Sequence, residues 1–256
     1  MKVFLRLAYV GTAYCGYQVQ PNGVTVQEKL NEAAEAVFGH PCDIVGCSRT
    51  DSGVHARDFC ATVTAKGADT LDTTIPAEKI PQIFNTVLPP DIAVRHAAFV
   101  DKDFHARYGV VFKEYEYRIY NAPLRDPFLS GRVWHIPQPI DDVALASMNR
   151  AAAQFVGTKD FSALRDGDPE EKNPVRTVFA ASVTREGEMI VFRVRGDGFL
   201  YHMVRVMTGV LVSVARGKYT PDEVGALIAL KKRAAFGATA PAAGLTLARV
   251  TYDREI

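Results

Sequence analysis

Hydrophobic and polar positions along the chain repeat with two different periods, and these periods predict the secondary structure. Alternation with a period of two is typical of strands, and a period near 3.6 is typical of amphipathic helices. In the first half, the pattern predicts strands at residues 2–10, 43–47, 59–65 and 92–98 and helices at residues 25–38 and 76–87. The first half therefore has the predicted order β-α-β-β-α-β.

Local residues mark both ends of the first predicted helix. Thr25 is placed to cap the first turn, and Glu28, three residues later, completes a capping box. Gly39 follows the apolar pattern and can adopt the left-handed conformation that ends a helix. The limits of this helix are therefore predicted from chemistry as well as from periodicity.

The second half repeats the same order of elements. Within residues 113–120, Tyr115 and Tyr117 lie on one face of a predicted strand and Glu116 lies on the other. An additional helix is predicted to begin at Thr220, where a second capping box occurs. The remaining predictions are a helix at residues 141–156, strands at 176–184 and 189–195, a helix at 199–215 and a strand at 245–252.

Two β-α-β-β-α-β units predict an α+β protein made of two ferredoxin-like halves. We expect an extended antiparallel sheet with helices on one face and a central cleft. The expected halves are residues 1–108 and residues 109–256, the second of which has the extra helix. An uncovered sheet face is broad and shallow, so it suits a macromolecule better than a small, enclosed ligand.

Composition and charge narrow the class of protein but leave its partner open. With 48% hydrophobic and 23% charged residues in 256, the chain has the composition of a folded globular protein. The apolar stretch 206–215 is too short to cross a bilayer, and the N-terminus does not resemble a secretory signal, so we expect a cytoplasmic protein with no membrane partner. A net charge of +1 neither indicates nor excludes nucleic-acid binding.

Four cysteines in a chain of this length indicate free thiols rather than a disulfide framework. A metal site is the alternative, because one stretch gathers five side chains that can bind zinc. Their spacing matches none of the usual zinc patterns, and buried free cysteine is common. The five are His40, Cys42, Cys47, His55 and Cys60.

The usual phosphate-loop, dinucleotide-binding, serine-hydrolase and zinc-protease motifs are absent from the sequence. This argues against nucleotide hydrolysis and dinucleotide redox chemistry. The loop SRTDSGVHAR at residues 48–57 remains as the candidate for chemistry. Its Asp51 has two interpretations, since Asp-Ser-Gly is a common turn and a carboxylate can also act as a nucleophile or base.

The sequence SRTDSGVHA resembles the signature loop G-R-T-D-x-G-V-H-A of the TruA-type tRNA pseudouridine synthases. The resemblance extends over nearly the whole chain through residues 14–20 (YCGYQVQ), 104–107 (FHAR), 115–117 (YEY), 198–205 (GFLYHMVR) and 240–245 (APAAGL). Ser48, Tyr17 and the pair Gly109-Val110 depart from the family pattern. These departures are mild and bear only on the fine shape of an RNA groove.

The resemblance implies an isomerase that converts uridine to pseudouridine at positions 38, 39 and 40 of the tRNA anticodon stem-loop. It also implies a homodimer and no metal or organic cofactor. The reaction detaches uracil from C1′ of the ribose and rejoins it through C5, with no oxidation and no net use of water. A carboxylate can attack the sugar, attack the ring or remove a ribose proton, and the sequence does not choose among these three.

The resemblance also implies roles for individual residues. Asp51 is the expected catalytic carboxylate, and Arg205 is its expected ion-pair partner. Tyr115 is expected to stack on the target base, whereas Tyr117 reads as a core residue.

Four further residues are expected to bind the RNA, each beside a structural alternative. Arg49 is expected to grip phosphate or to replace the flipped base. His55 and Arg57 contact the RNA backbone or close the turn, and His202 either packs in the core or contacts RNA. The three consecutive basic residues 231–233 are interpreted as the solvated end of a helix, and phosphate contact is the alternative. A non-catalytic RNA-binding protein is the rival function, although the RRM signature is missing.

Overall fold

The computed structural model describes residues 1–167, 173–254 and 256. These residues form two compact units, one of residues 1–111 with 246–256 and the other of residues 112–245. Five helices and ten strands occur within the described ranges, and most of the strand pairs are antiparallel. The α+β class predicted from the sequence is confirmed.

The first unit has the predicted order β-α-β-β-α-β. Its elements are β1 (Lys2–Tyr9), α1 (Val26–Phe38), β2 (Cys42–Gly46), β3 (His55–Ala65), α2 (Ile80–Val87) and β4 (Ile92–Val100). Strand β1 lies between β4 and β3, and β2 pairs with β3, all antiparallel, which is the ferredoxin-like arrangement. The last strand of the chain, β10 (Leu245–Tyr252), pairs in parallel with the beginning of β3.

The ends of α1 have the predicted chemistry. Thr25 accepts a hydrogen bond from the backbone of Glu28, and the Glu28 carboxylate accepts one from the Thr25 backbone. Gly39 ends the helix in the left-handed conformation at φ 78°. The apolar face of α1 is buried through Val26 and Leu30. Helix α1 therefore packs as its sequence pattern predicts.

The second unit contains the remaining elements. They are β5 (Val110–Tyr120), β6 (Trp134–His135), α3 (Asp142–Ala153), β7 (Gly157–Asp160), β8 (Val175–Glu186), β9 (Met189–Gly196), α4 (Met203–Ala215) and α5 (Glu223–Ala229). Strands β5, β9, β8 and β7 pair in that order and are antiparallel, and β6 pairs in parallel with β5. Strands β6 and β7 are too short to produce a clear hydrophobic period, so the sequence does not predict them.

Two predicted boundaries near the candidate chemistry are wrong. Strand β3 begins at His55 rather than at Phe59, so His55 and Arg57 lie in the strand instead of the preceding loop. Helix α4 begins at Met203 rather than at Phe199, because His202 has the left-handed backbone conformation, φ 59°, that no helix interior adopts.

Three other features also differ from the prediction. The start of the second helix is a separate 3-10 turn at Ala77–Lys79. The Thr220 and Glu223 side chains make the predicted reciprocal bonds, but the helix itself begins at Glu223. Glu116 lies on the face of β5 opposite the two tyrosines, as predicted, but it is buried and pairs with Arg118 and Arg193 instead of facing solvent.

The apolar run 206–215 is the buried helix that the sequence predicts. Eight of the thirteen residues of α4 have apolar side chains that the structure buries. Among the residues that the structure describes, no helix combines the length and the apolar character needed to cross a membrane.

Candidate functional site

Residues 47–54 connect β2 to β3 and form a tight turn around Asp51. The Cys47 amide donates to the Cys60 carbonyl, so the loop leaves β2 while still paired with β3. The Val54 amide donates to the Asp51 carbonyl at 3.1 Å, and Gly53 has φ 79°. Asp51 itself is half-exposed at the bend. The turn interpretation of this loop is therefore correct for its backbone, and the side chain remains accessible for chemistry.

The residue before Asp51 is held on two sides. Thr50 is buried, and its hydroxyl lies 2.8 Å from the Tyr9 hydroxyl. The Thr50 carbonyl accepts a hydrogen bond from the Tyr17 amide at 3.1 Å. Tyr9 ends β1, and Tyr17 lies shortly before α1. Two elements of the first unit thus fix the backbone at the entrance to the Asp51 bend.

Ser52 and Gly53, which follow Asp51, both donate a hydrogen bond to the same carbonyl group. The Tyr14 carbonyl accepts hydrogen bonds from the Ser52 hydroxyl at 3.2 Å and from the Gly53 amide at 3.3 Å. Asp51 is therefore flanked on both sides by anchored residues. A carboxyl group on such a support keeps its position without an ordering cost during reaction.

The segment between β1 and α1 lies very close to the Asp51 loop, and this close approach depends on glycine. A Cβ atom on Gly16 would lie 2.8 Å from the Thr50 carbonyl oxygen, and Gly16 also has φ 84°. A Cβ atom on Gly11 would lie only 1.9 Å from the Val54 carbonyl oxygen. No other residue fits either position without moving the loop that carries Asp51.

The other predicted residues of this loop divide into buried and exposed groups. His55 is 6% exposed, and its Nδ1 accepts a hydrogen bond from the Gly11 amide at 2.9 Å. Because Nδ1 is an acceptor, a neutral His55 carries its proton on Nε2. Arg49 and Arg57 are exposed, and the Arg57 carbonyl receives a long hydrogen bond from Arg95. His55 is therefore bound to the segment that follows β1, whereas the two arginines are exposed.

In the second unit, the two tyrosines of β5 have different surroundings. Tyr115 is 6% exposed and packs edge to face against Phe199, with ring centres 5.2 Å apart. Tyr117 is fully buried, and its hydroxyl donates to the Pro241 carbonyl at 2.7 Å. Burial raises the pKa of Tyr117 above its ordinary value. The core interpretation of Tyr117 is therefore correct.

Arg205 is held against the segment that contains Ala240. Its Nε donates to the Ala240 carbonyl at 2.8 Å, and its own carbonyl accepts from the Ala240 amide at 3.1 Å. The neighbours Met203 and Val204 are buried, as their apolar character predicts. The second unit thus places Tyr117 and Arg205 on the same short stretch of chain, Ala240 and Pro241.

His202 belongs to a polar cluster within the second unit. Its Nδ1 lies 2.8 Å from Asp166, and its ring stacks on Tyr201 with centres 3.8 Å apart. Asp166 also binds Arg233 and Thr239, each at 2.5 Å. Burial alone raises the pKa of Asp166, but the hydrogen bonds from Thr239, His202 and Arg233 together hold it below its ordinary value.

This cluster corrects the interpretation of residues 231–233. Arg233 does not end a helix in solvent, because its guanidinium also donates to the carbonyls of Phe236 and Gly237. Lys231 pairs with Asp160 at 2.9 Å. Two of the three cations therefore pair with carboxylates of the protein, Arg233 half-buried and Lys231 exposed.

The zinc hypothesis receives no support from the placement of the five candidate ligands. His40 and Cys42 are neighbours, with Nδ1 and Sγ 3.9 Å apart. Cys47 and Cys60 face each other across β2 and β3, and the Nδ1 of His55 is bound to a backbone amide. Within residues 1–167, 173–254 and 256, no three His, Cys, Asp or Glu side chains are arranged to hold a metal ion.

The Tyr17 hydroxyl is buried with no hydrogen-bond partner among the described residues. The ring packs against Phe59, with centres 4.3 Å apart, so its apolar part is well placed. We therefore expect Tyr17→Phe to increase the free energy of unfolding by about 1 kcal/mol, measured by denaturant or thermal unfolding.

Tyr9→Phe is the matched control, because it removes a buried hydroxyl that does have a partner, Thr50. We expect this control to lose about 1 kcal/mol. A Tyr17→Phe protein less stable than the wild type would contradict the assignment of an unsatisfied hydroxyl.

Comparison with known proteins identifies the family to which this chain belongs. The family model described as tRNA pseudouridine synthase matches residues 7–109 and 151–253. A protein of Acetivibrio thermocellus named tRNA pseudouridine synthase A is 41% identical over 98% of this chain and 99% of its own length. Proteins of the same name from Syntrophotalea carbinolica and Moorella thermoacetica are each 42% identical, over 98% and 97% of this chain and 96% and 98% of their own lengths.

Such similarity over almost the full length defines the chain as an isomerase. It belongs to the tRNA pseudouridine synthase family. Among solved structures, a chain of a Cbf5-Nop10-Gar1 complex aligns with 96% of this chain and 48% of its own length. Its TM-score of 0.40 and sequence identity of 13% are too low to support a functional conclusion.

Proposed function

We propose that this protein converts uridine to pseudouridine at positions 38, 39 and 40 of the tRNA anticodon stem-loop, with Asp51 as the essential carboxylate. The observation that carries the proposal is the Asp51 turn, which matches the family's signature loop and is anchored through Thr50, Ser52 and Gly53. Full-length relatives named tRNA pseudouridine synthase A support the substrate class.

The proposed reaction exchanges one bond between base and sugar for another. The N1–C1′ bond breaks, uracil turns in the site, a C5–C1′ bond forms, and the proton lost from C5 is balanced by one gained at N1. Asp51 serves this sequence as a nucleophile toward the sugar or the ring, or as the base that removes a ribose proton. All three require an ionised carboxylate that does not move, and the anchored turn supports the second requirement.

The target uridine must leave its stem before it can react. Extruding a paired base costs a few kcal/mol, and stacking one base on an aromatic ring returns about 1 to 3 kcal/mol. We propose that Tyr115 provides this ring. Its edge-to-face contact with Phe199 supports the role, since a ring fixed by packing loses little freedom when the base binds.

The basic residues have distinct proposed roles. The resemblance implies Arg205 as the ion-pair partner of Asp51, and the hydrogen bond from its Nε to Ala240 supports a fixed guanidinium. Arg49 and Arg57 contact RNA phosphates, which their exposure supports. For His55 and His202, the bonds to Gly11 and Asp166 favour support of the site over direct RNA contact.

We further infer a homodimer acting in the cytoplasm without a metal or organic cofactor. The homodimer and the absence of a cofactor follow from the resemblance to the family, and the reaction needs no redox partner or nucleotide fuel. The cytoplasmic location is the expectation drawn above from the sequence. Sedimentation or light scattering of the purified protein measures the oligomeric state. Chelator treatment that abolishes activity would contradict the absence of a metal.

The decisive experiment maps pseudouridine in tRNA transcripts after incubation with the purified protein. We expect modification at positions 38, 39 and 40 wherever a transcript has uridine there, and none when those positions carry cytidine. Release of tritium from 5-tritiated uridine in tRNA should follow the same pattern. A protein that binds tRNA without releasing tritium would support the rival RNA-binding function, and modification elsewhere would contradict the proposed positions.

A further inference from the structure

The hydrogen bond between Tyr14 and Asp91 connects the Asp51 loop to a distant part of the first unit. Tyr14 lies between β1 and α1, and Asp91 lies immediately before β4. The Tyr14 hydroxyl donates to Oδ1 of Asp91 at 2.5 Å, and Tyr14 is 6% exposed. Hydrogen bonds from a hydroxyl to a carboxylate are short and about twice as strong as those between neutral groups.

Asp91 is a rigid anchor for this bond. It follows two prolines, whose rings restrict the backbone, and the Ile92 amide donates to the Pro89 carbonyl at 3.0 Å. The Asp91 carbonyl also accepts from the Val10 amide at 2.9 Å. Asp91 therefore holds the segment between β1 and α1 at two points, through its backbone at Val10 and through its carboxylate at Tyr14.

Tyr14, held by Asp91, in turn holds Ser52 and Gly53 beside Asp51. Its carbonyl oxygen accepts a hydrogen bond from the Ser52 hydroxyl and another from the Gly53 amide. Ser52 and Gly53 are the two residues that directly follow Asp51. If Tyr14 shifts, Ser52 and Gly53 lose these two bonds or shift with it. The Asp51 bend then keeps the contacts of Thr50 but loses the support on its other side.

We infer that Tyr14 and Asp91 are positioning residues for the reaction, which place the Asp51 carboxylate by fixing the Tyr14 carbonyl against Ser52 and Gly53. This inference rests on the proposed catalytic role of Asp51. Neither residue touches the substrate. Burial and the bond to Asp91 raise the pKa of Tyr14, so its hydroxyl remains a donor throughout the working pH range.

The sensitivity of catalysis to position sets the size of the expected effect. A displacement of about 1 Å in a reacting group can cost about 100-fold in rate. Removing the Tyr14 hydroxyl does not alter the groups that bind RNA. We therefore expect kcat to fall while KM for tRNA stays close to wild type, and the thermal midpoint should fall by only a few degrees because one buried hydrogen bond is lost.

The test compares Tyr14→Phe, Asp91→Asn and Asp91→Ala under steady-state conditions with tRNA. We expect kcat to fall roughly 10- to 100-fold in Tyr14→Phe and Asp91→Ala. Asp91→Asn keeps an acceptor oxygen, so it should retain more activity than Asp91→Ala. The double variant Tyr14→Phe with Asp91→Ala should be no slower than Asp91→Ala alone, because both changes break the same connection.

Tyr120→Phe is the matched control, since it also removes a tyrosine hydroxyl that donates to a carboxylate, Glu188 at 3.0 Å. This control should keep wild-type kcat. The inference is overturned if Tyr14→Phe folds normally and keeps kcat within about twofold of wild type, or if KM alone changes. Asp51→Asn measured in parallel separates the two hypotheses, because an active Asp51→Asn protein would refute the proposed function itself.

Discussion

Replacing Asp51 with asparagine is expected to lower the rate of pseudouridine formation by about a thousandfold or more. Asparagine has almost the same shape as aspartate, but it is neither an effective nucleophile nor a base at neutral pH. The loop backbone is held through Thr50, Ser52 and Gly53, so the fold and the RNA surface should persist. Tritium release from 5-tritiated uridine in tRNA measures the rate, and gel-shift titration measures the affinity.

Asp69→Asn makes the same chemical change at an exposed position in the same unit and should leave the rate unchanged. An Asp51→Asn protein with more than about a tenth of wild-type activity would contradict the catalytic role. Loss of RNA binding together with activity would instead indicate that Asp51 holds the loop or the RNA rather than performing the reaction.

Gly209→Ala is expected to destabilise the protein by about 3 kcal/mol, against the ordinary preference of helices for alanine. Alanine in a helix interior gains up to about 1 kcal/mol over glycine. At Gly209, however, a Cβ atom would lie 2.1 Å from the Ala238 carbonyl oxygen, a contact that only a backbone shift relieves. The clash therefore outweighs the propensity, and the thermal midpoint should fall by roughly 6 to 12 °C.

Gly225→Ala in α5 is the matched control for this prediction. Its added Cβ would lie 2.8 Å from the end of the Gln154 side chain, which can rotate away. We expect this variant to unfold within about 1 kcal/mol of the wild type. A Gly209→Ala protein as stable as this control would show that α4 and the segment at Ala238 can separate without cost.

The strands and helices with clear periodicity were predictable from the sequence, and the exceptions have physical causes. The ends of α1 follow from Thr25, Glu28 and Gly39, which act on their immediate neighbours. The start of α4 could not be predicted from its neighbours in the sequence. The left-handed conformation of His202 accompanies a bond to Asp166, which lies in another loop. Local patterns cannot reveal a contact that the folded chain creates.

In the candidate site too, features set by local sequence could be predicted and features set by distant contacts could not. Asp51 was recognisable because its loop is a contiguous motif, and Tyr117 was recognisable as core because it alternates with polar residues. The contact between Tyr14 and Asp91 could not be predicted, although Tyr14 begins the motif at residues 14–20, because the two residues are far apart in sequence. Glu116 was misplaced on a solvated face because Arg118 and Arg193, the second from β9, cover it only in the assembled sheet.

The parallel pairing of β10 with the start of β3 has a consequence for synthesis of the protein. Thr246 and Leu247 align with His55 and Ala56, the first residues after the Asp51 turn. A long stretch of chain separates these partners, so His55 and Ala56 are synthesised well before Thr246 and Leu247. A nascent chain therefore exposes this stretch of β3 until residues 245–252 leave the ribosome, and we expect a product of premature termination to lack activity even when most of both units has been made.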